Sequence, residues 1–365
     1  MERVDVLVVG LGPGGASAAW SAAVGGCRVL GVERNRRIGE PVQCAEFIPA
    51  PLGRYAAASG VEVQRITGMH SVLPSGARVA TDFAGIMVDR ARFDRAIAVR
   101  ARTAGARLIE ETRLCALDTG RQVASLSHRD GLLEVHYEVL IAADGPHSTV
   151  GRLLALAPLP VVHTRQYTVP LQAPYADTDI WLSEEYPGGY GWLFPKGEVA
   201  NIGLGAYRDL VNADLKTPLD RLHRHLVEAG IVGAEVLVRT GGAIPVGGLR
   251  PRLVEGRVVF VGDAAGLTHP ITGAGIAAAV VSGERAGAAA AACLAGEISA
   301  ALSGFEEDVR DQYEGGIRRA VQRRAFLDRC WNTPRARDDH TLRRGWIAFG
   351  EYFAQSPGRV AEVGG

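Results

Sequence analysis

Residues Val4–Gly15 restrict the fold of this chain more than any other stretch. An apolar run, Val4-Asp5-Val6-Leu7-Val8-Val9, enters the turn Gly10-Leu11-Gly12-Pro13-Gly14-Gly15, and an Ala-rich helical pattern follows. Strand, tight turn and helix start make a place for pyrophosphate, because the first amides of a helix lack intrahelical partners and carry partial positive charge. Gly10 permits the turn, Gly12 leaves the backbone bare where phosphates approach, and Gly15 lets the helix pack on the strand; Gly14 completes the turn. Glu33 closes the next apolar strand, Val29–Val32, at roughly the twenty-residue spacing of a ribose-binding carboxylate, and Arg34 follows it. A dinucleotide-binding α/β start is predicted.

Composition narrows the partner classes. The chain has 365 residues and no formal net charge, with 47% hydrophobic and 22% charged residues. That is an ordinary globular balance with no electrostatic footprint for nucleic acid. Of 40 basic residues only Lys196 and Lys216 are lysines, which reads as codon bias. Cys27, Cys44, Cys115, Cys293 and Cys330 are odd in number and widely spaced. No Cys-x-x-Cys pair or Cys/His cluster points to a metal, and the pattern fits a reducing cytosol. A strand beginning at Val4 leaves no room for a signal peptide. The apolar stretch Ile276–Ala295 contains Glu284 and Arg285 and reads as a buried helix. A cytoplasmic protein is expected, with peripheral contact at the inner membrane as the alternative.

Residues 1–35 read as a βαβ start and 36–60 as an irregular loop with Pro41, Pro49 and Pro51. A helix is predicted over 91–104, a short strand at Arg107–Ile109, and a hairpin from Leu132–Val135 and Val139–Ala142. Asp144-Gly145 then turns into a helix. From 160 to 250, runs at Tyr167–Leu171, Asp179–Leu182, Tyr190–Phe194 and Ala200–Gly205 predict an antiparallel sheet, interrupted by a helix at Pro218–Ala229. A nucleotide-type strand returns at Val258–Val261, ends in Gly262-Asp263 and precedes a long helix over 273–295. The expected organisation is an α/β FAD-binding, doubly wound (Rossmann-like) domain in two pieces, 1–160 and 251–300. Inserted in it is an antiparallel β-sheet substrate domain, 161–250 with part of 61–85, and a helical C-terminal segment, 301–365, follows.

The flavin in that expectation rests on the second nucleotide segment. Asp263, at a strand end beside a helix start, suits the ribityl chain or phosphate neighbourhood of a flavin nucleotide. Pro270-Ile271-Thr272-Gly273-Ala274-Gly275-Ile276 then offers a rigid turn and glycines that admit a flat ring close to backbone. With Glu33 placed for an adenosine half, the two segments point to FAD. The other tight glycine cluster, Gly241–Gly248, lacks the strand–turn–helix context, so a second fold for NAD(P)H is not expected.

These segments resemble FAD-dependent oxidoreductases of the aromatic hydroxylase architecture, and among them the geranylgeranyl reductase family. Pro41–Glu46 is similar to that family's cysteine-bearing loop. Tyr190-Gly191-Trp192-Leu193-Phe194-Pro195 is similar to its Tyr-x-Trp-x-Phe-Pro element, and Gly262–Gly266 running on to Ile276 to its second flavin segment. The resemblance covers residue 1 to about 300. It implies FAD contacts at Gly15, Glu33, Cys44, Ala45, Arg90, Leu114, Asp263, Gly275 and Ile276. Arg90 lies in a segment similar to the family's Arg-x-x-Phe-Asp; Arg92 and Arg95, close by, are alternatives for the same contact. The chain departs from the family after the cysteine, where Ala45-Glu46-Phe47 lacks the usual glycine, and over 304–365. Both departures fall on the substrate side.

Cys44 is either a redox or acid–base thiol near the flavin or a small residue packed against it. His269, beside Pro270, is the histidine expected to do chemistry. Tyr190, Trp192 and Phe194 alternate and so share one strand face. They either wall a pocket for a long apolar substrate or fill the core. Leu342, Trp346, Phe349 and Phe353 make one apolar helical stripe. It packs on the body, covers a lipid-like substrate as a lid, or meets a membrane, where Arg335, Arg337, Arg343 and Arg344 suit anionic headgroups. The expected activity is reduction of a C=C bond in an isoprenoid or other long apolar molecule by reduced FAD. An external donor, NAD(P)H or a reduced carrier protein, would supply the electrons. An aromatic monooxygenase and a flavoprotein electron carrier are the alternatives, since one fold hosts several chemistries.

Overall fold

The computed structural model describes residues 1–207, 214–294, 296 and 298–354. Strands and helices are numbered in chain order. The first sheet grows from β1 (Glu2–Val9) and β2 (Val29–Val32), parallel and buried. Between them runs α1 (Pro13–Val24), with Pro13 where a missing N–H costs nothing. The central order β16–β9–β1–β2–β6 uses β6 (Arg107–Ile109), β9 (Gly131–Ala142) and β16 (Val258–Phe260), all parallel. A two-residue strand β15 (Val254–Glu255) edges β16. β7 (Arg113–Asp118) and β8 (Val123–His128) hang from the first half of β9 as an antiparallel extension.

Two long helices cover this sheet. In α5 (Ile276–Leu294), Gly283 lies so close to α1 that a Cβ there would sit 2.1 Å from the Gly14 carbonyl oxygen. α5 is long and apolar enough to cross a membrane, yet its small-residue face is packed on α1. α2 (Arg90–Thr103) is capped by the Asp89 carboxylate, which accepts from the Arg92 amide.

The second sheet has the order β14–β10–β13–β12–β11–β4–β5–β3. Its strands are β3 (Phe47–Pro49), β4 (Glu62–Val72), β5 (Arg78–Val88), β10 (Val161–Pro170), β11 (Thr178–Trp181), β12 (Gly191–Lys196), β13 (Val199–Ala206) and β14 (Val238–Pro245). Alternation along β12 divides two cores. Trp192 and Phe194 join Ile66, Met69, Met87 and Ile180 on one face. Leu193 joins Ile202, Leu204 and the buried stripe of α4 (Lys216–Glu228) on the other. β4, β5 and β3 reach this sheet from the N-terminal third, so the cysteine loop feeds straight into it.

The second sheet is mixed where an antiparallel one is expected, because β11 runs parallel to β4, and two expected elements differ as well. The hairpin at Leu132–Val135 and Val139–Ala142 is one strand, β9, with β8 as its antiparallel neighbour. His136-Tyr137-Glu138 contains no turn-forming residue, and Tyr137 and Val139 continue the inward alternation. The stripe Leu342–Phe353 does not lie on one helix. α7 (Asp339–Gly345) ends and α8 (Gly350–Phe353) begins around a turn at Ile347–Ala348, flanked by extended backbone at Trp346 (φ −113°) and Phe349 (φ −109°). Gly345 and Gly350 bracket the break. A Cβ on Gly345 would fall 2.6 Å from Leu327, so the chain presses closely on α6 (Ile298–Asp328) there. Leu342, Trp346 and Phe349 are buried, while Phe353 is 52% exposed. The expected C-terminal segment beyond Ala354 lies outside the described residues.

Candidate flavin and substrate site

The glycine turn opens on a cleft of about 790 Å³, lined by Gly10, Gly12, Glu33, Arg34, Cys44, Arg90, Leu114 and Asp144 among others. Gly10 has φ 88°, and a Cβ there would strike the Ala143 carbonyl oxygen at 2.5 Å. Gly15 could carry no Cβ at all, since it would meet the Gly10 oxygen at 1.8 Å. Gly12 has nothing within 4 Å of its Cβ position, so its bare backbone faces the cleft. Gly14 instead backs onto Ala279 of α5. Glu33 is 8% exposed. Its carboxylate accepts from the Leu11 and Asn35 amides, both at 3.0 Å, and so braces the turn from below. Asp144 caps α3 (Thr149–Leu153), accepting from Ser148 Oγ at 2.7 Å and the Val150 amide at 3.0 Å. Burial pushes its carboxyl above the usual range, and those two bonds oppose the shift. A bare cradle, free helix-start amides and a braced acid fit an FAD diphosphate and ribose.

Three arginines compete for one contact in the sequence, and the structure separates them. Arg92 pairs with Asp89 at 3.5 Å and Arg95 with Glu40 at 3.0 Å, both outward. Arg90 lines the cleft, its guanidinium held by the Asp94 carboxylate through two bonds of 3.1 Å, with the Cys44 sulfur close by. Cys44 thus stands at the cleft wall beside a cation, while Ala45 turns into the second core.

The second flavin segment gathers beside this wall. Asp263 accepts from Thr268 Oγ1 at 2.5 Å. Burial raises its carboxyl, with Thr268 and the Arg90 charge pulling the other way. Gly275 lies over it: a Cβ there would touch Asp263 Oδ1 at 3.0 Å. Pro270, Gly273 and Ile276 form the turn that follows. His269 lies outside the cleft lining. Its Nδ1 accepts from the Ile271 and Thr272 amides at 3.4 and 3.2 Å, and its Nε2 is 3.4 Å from Tyr352 Oη. Burial and the nearby Arg324 charge lower this ring to about 4. It is a neutral brace tying the turn to the C-terminal helices.

Tyr190, Trp192 and Phe194 do lie on one side. Tyr190 Oη donates to the Thr272 carbonyl at 2.5 Å, joining this aromatic row to the flavin-side turn. Trp192 Nε1 donates to Gln166 Oε1 at 3.2 Å, and Gln166 Nε2 in turn donates to the Cys44 carbonyl at 3.0 Å. Phe194 packs 5.9 Å from Phe47. α6, α7 and α8 close over this face. Trp346 meets Tyr190 at 4.9 Å between ring centroids and donates to Ser71 Oγ at 3.1 Å. The space left between cap and sheet, lined by Tyr190, Ile271, Leu327, Trp331, Leu342 and Trp346, is about 20 Å³, room for one water.

Several supporting residues carried no readable signal. Gln166 and Asn201 lie inside strands and look like ordinary polar positions until the loop packs on them. Gly203 left a signal in the alternation Gly203-Leu204-Gly205: the Trp192 ring packs on it, and a Cβ would come within 2.4 Å. Arg324, 7% exposed, donates to the carbonyls of Pro270 and Gly188 and to Tyr207 Oη. It pins the flavin-side turn from the cap.

The chain matches the model for the geranylgeranyl reductase catalytic domain over residues 163–243, and that for lycopene cyclase protein over 206–343. It is 37% identical over 337 residues to digeranylgeranylglycerophospholipid reductase 1 of Methanopyrus kandleri, covering 85% of this chain and 88% of that one. Among solved structures it is similar to a geranylgeranyl bacteriochlorophyll reductase-like protein of Thermoplasma acidophilum. That pair has TM-score 0.82 and 28% identity, covering 93% and 92% of the two chains. The p-nitrophenol 4-monooxygenase of Pseudomonas putida, at 16% identity, TM-score 0.71 and coverage of 94% and 97%, shares the fold alone. With 37% identity to a reductase of this kind over 85% of its length and a match to the catalytic-domain model, the chain belongs to the geranylgeranyl reductase family of FAD-dependent oxidoreductases.

Proposed function

We propose that this protein reduces isolated C=C bonds in the isoprenoid chains of a glycerolipid. The observation that carries the reading is the aromatic face of β12, joined through Gln166 to Cys44 at the FAD cleft. An apolar chain lying along Trp192 and Phe194 would end beside that sulfur. The relatives at this identity carry the name digeranylgeranylglycerophospholipid reductase, which supports a lipid with geranylgeranyl groups. FAD, once reduced, supplies hydride to one carbon of the double bond. The protein's own part is to hold the chain, exclude water and bring a proton to the other carbon. We assign that proton to Cys44, because it lines the cleft and His269 does not.

The electrons come from outside, from NAD(P)H or a reduced carrier protein. A peripheral position on an anionic bilayer suits the cap: residues 315–354 hold nine arginines, seven of them besides the buried Arg323 and Arg324, against four carboxylates in a chain without net charge. Phe353 is exposed at its edge.

The test is anaerobic. Dithionite-reduced protein is mixed with a geranylgeranyl glycerophospholipid, and the products are weighed. A gain of two mass units per reduced bond is expected. Absence of turnover without oxygen, together with a gain of sixteen units on an aromatic substrate in air, would transfer the assignment to a monooxygenase.

A further inference from the structure

Glu46 has a geometry that its sequence position does not explain. It is 5% exposed and adopts φ 72°, in the left-handed region that residues with a Cβ avoid. Its carboxylate is shared between two parts of the molecule. Oε1 accepts from the Arg90 amide at 3.0 Å, at the start of α2. Oε2 accepts from Lys196 Nζ at 2.7 Å, at the end of β12, and from Asn201 Nδ2 at 2.9 Å, on β13. A strained backbone persists only where its surroundings over-determine it, and these three bonds do so here.

The strain has a product. In this conformation the Glu46 amide points back and donates to Cys44 Sγ at 3.2 Å. The Arg90 guanidinium lies near the same sulfur, and both line the cleft wall. The carbonyls of the turn are taken as well: Cys44 by Gln166 at 3.0 Å, Ala45 by Asn201 at 3.3 Å and Glu46 by the Val88 amide at 2.8 Å. Lys196 adds an independent observation. In a chain with only two lysines among 40 basic residues, the cation at the buried carboxylate is a lysine. A compact ammonium fits a point contact shared with Asn201, where a planar guanidinium fork demands more room.

We propose that Glu46, clamped by Lys196, is the positioning residue for Cys44: the pair holds the 44–46 turn so that the Glu46 backbone N–H fixes the sulfur at the cleft wall. This rests on the assignment of Cys44 to the site but is tested apart from it.

The measurement is thiol alkylation of the purified flavoprotein by iodoacetamide at pH 7, read at each cysteine by peptide mass spectrometry. Exposed Cys115 serves as the internal reference. Alkylation needs the sulfur held where the reagent can reach it from the cleft, so its rate reads the geometry of the 44–46 turn. Glu46→Gln and Lys196→Met should therefore each lower the Cys44-to-Cys115 rate ratio by about tenfold, the scale of one lost charge-assisted bond. The double variant should be no worse than either single one, since the pair acts as a unit. Lys196→Met keeps the test open if Glu46→Gln fails to fold. Ratios within twofold of wild type in a folded variant, with only thermal stability reduced, would make Glu46 a structural pin and overturn the proposal. An unreactive Cys44 in the wild-type flavoprotein would overturn it too. Loss of lipid reductase activity in the wild type with the ratio effect intact would instead count against the proposed function alone.

Discussion

Gly12 and Gly15 sit three residues apart and predict opposite failures. Gly12 has open space where a side chain would go, and its φ of −67° suits any residue. Gly12→Val should therefore fold with the thermal midpoint of FAD-stripped wild type, yet be colourless, because the added methyls occupy the phosphate position. Less than a tenth of the wild-type FAD should be recovered after denaturing release. A yellow variant with full FAD content would show that the diphosphate lies elsewhere. Gly15→Ala puts a Cβ 1.8 Å from the Gly10 oxygen and should cost about 3 kcal/mol of stability with or without cofactor. Both glycines were legible from spacing alone, because turn chemistry is local. Lys196 was not: two lysines among 40 basic residues look like codon usage until the buried Glu46 is seen beside one of them.

At the scale of elements, β1, α1, β12 and α4 announce themselves through periodicity, since each buries one face or both within its own length. β9 and the C-terminal cap do not. β9 is one strand because two neighbours, β1 and β8, take successive parts of it, a fact held in other parts of the chain. The break between α7 and α8 is set by contact with α6. Under the proposed function that cap matters for turnover, because the cavity of about 20 Å³ between Tyr190 and Trp346 is too small for an isoprenoid chain. It must lift. Ser75 Oγ on the β4–β5 turn donates to Asp339 Oδ2 at 2.5 Å, at the first residue of α7, and marks a place to lock it. In Ser75→Cys/Asp339→Cys, oxidation to the disulfide should cut lipid reduction at least tenfold while transfer to a small dye through the flavin continues. Dithiothreitol should restore the lipid activity. Unimpaired lipid turnover in the oxidised, mass-verified variant would mean that substrate enters by another route.

Across the whole molecule, the cap is tied to the flavin-side turn through His269 and Arg324, and this junction makes stability depend on pH. His269 Nδ1 caps two backbone amides and its other nitrogen faces Tyr352 of α8. Protonation would turn the Nδ1 acceptor into a donor aimed at donors, next to the buried Arg324 charge. The ring therefore titrates at about 4 in the folded protein, against an ordinary 6.5. A lowered folded value means that the unfolded chain takes up the proton first as pH falls. The contribution is fully present above pH 6.5 and is lost on the way down to pH 4, on the order of 2 kcal/mol for a partly exposed group. The carboxyls of Asp94, Asp144 and Asp263 are raised by burial and act in the opposite sense in the acid range, so the total profile cannot isolate the histidine. His269→Asn can, because the asparagine oxygen keeps an acceptor near the Nδ1 position and does not titrate. In denaturant unfolding at fixed ionic strength, the stability difference between wild type and variant should move in favour of the variant by that amount between pH 7 and pH 4.5. A difference that stays constant across this range would mean that His269 remains free to take up its proton in the folded protein, and that the cap is not held to the turn through a neutral ring.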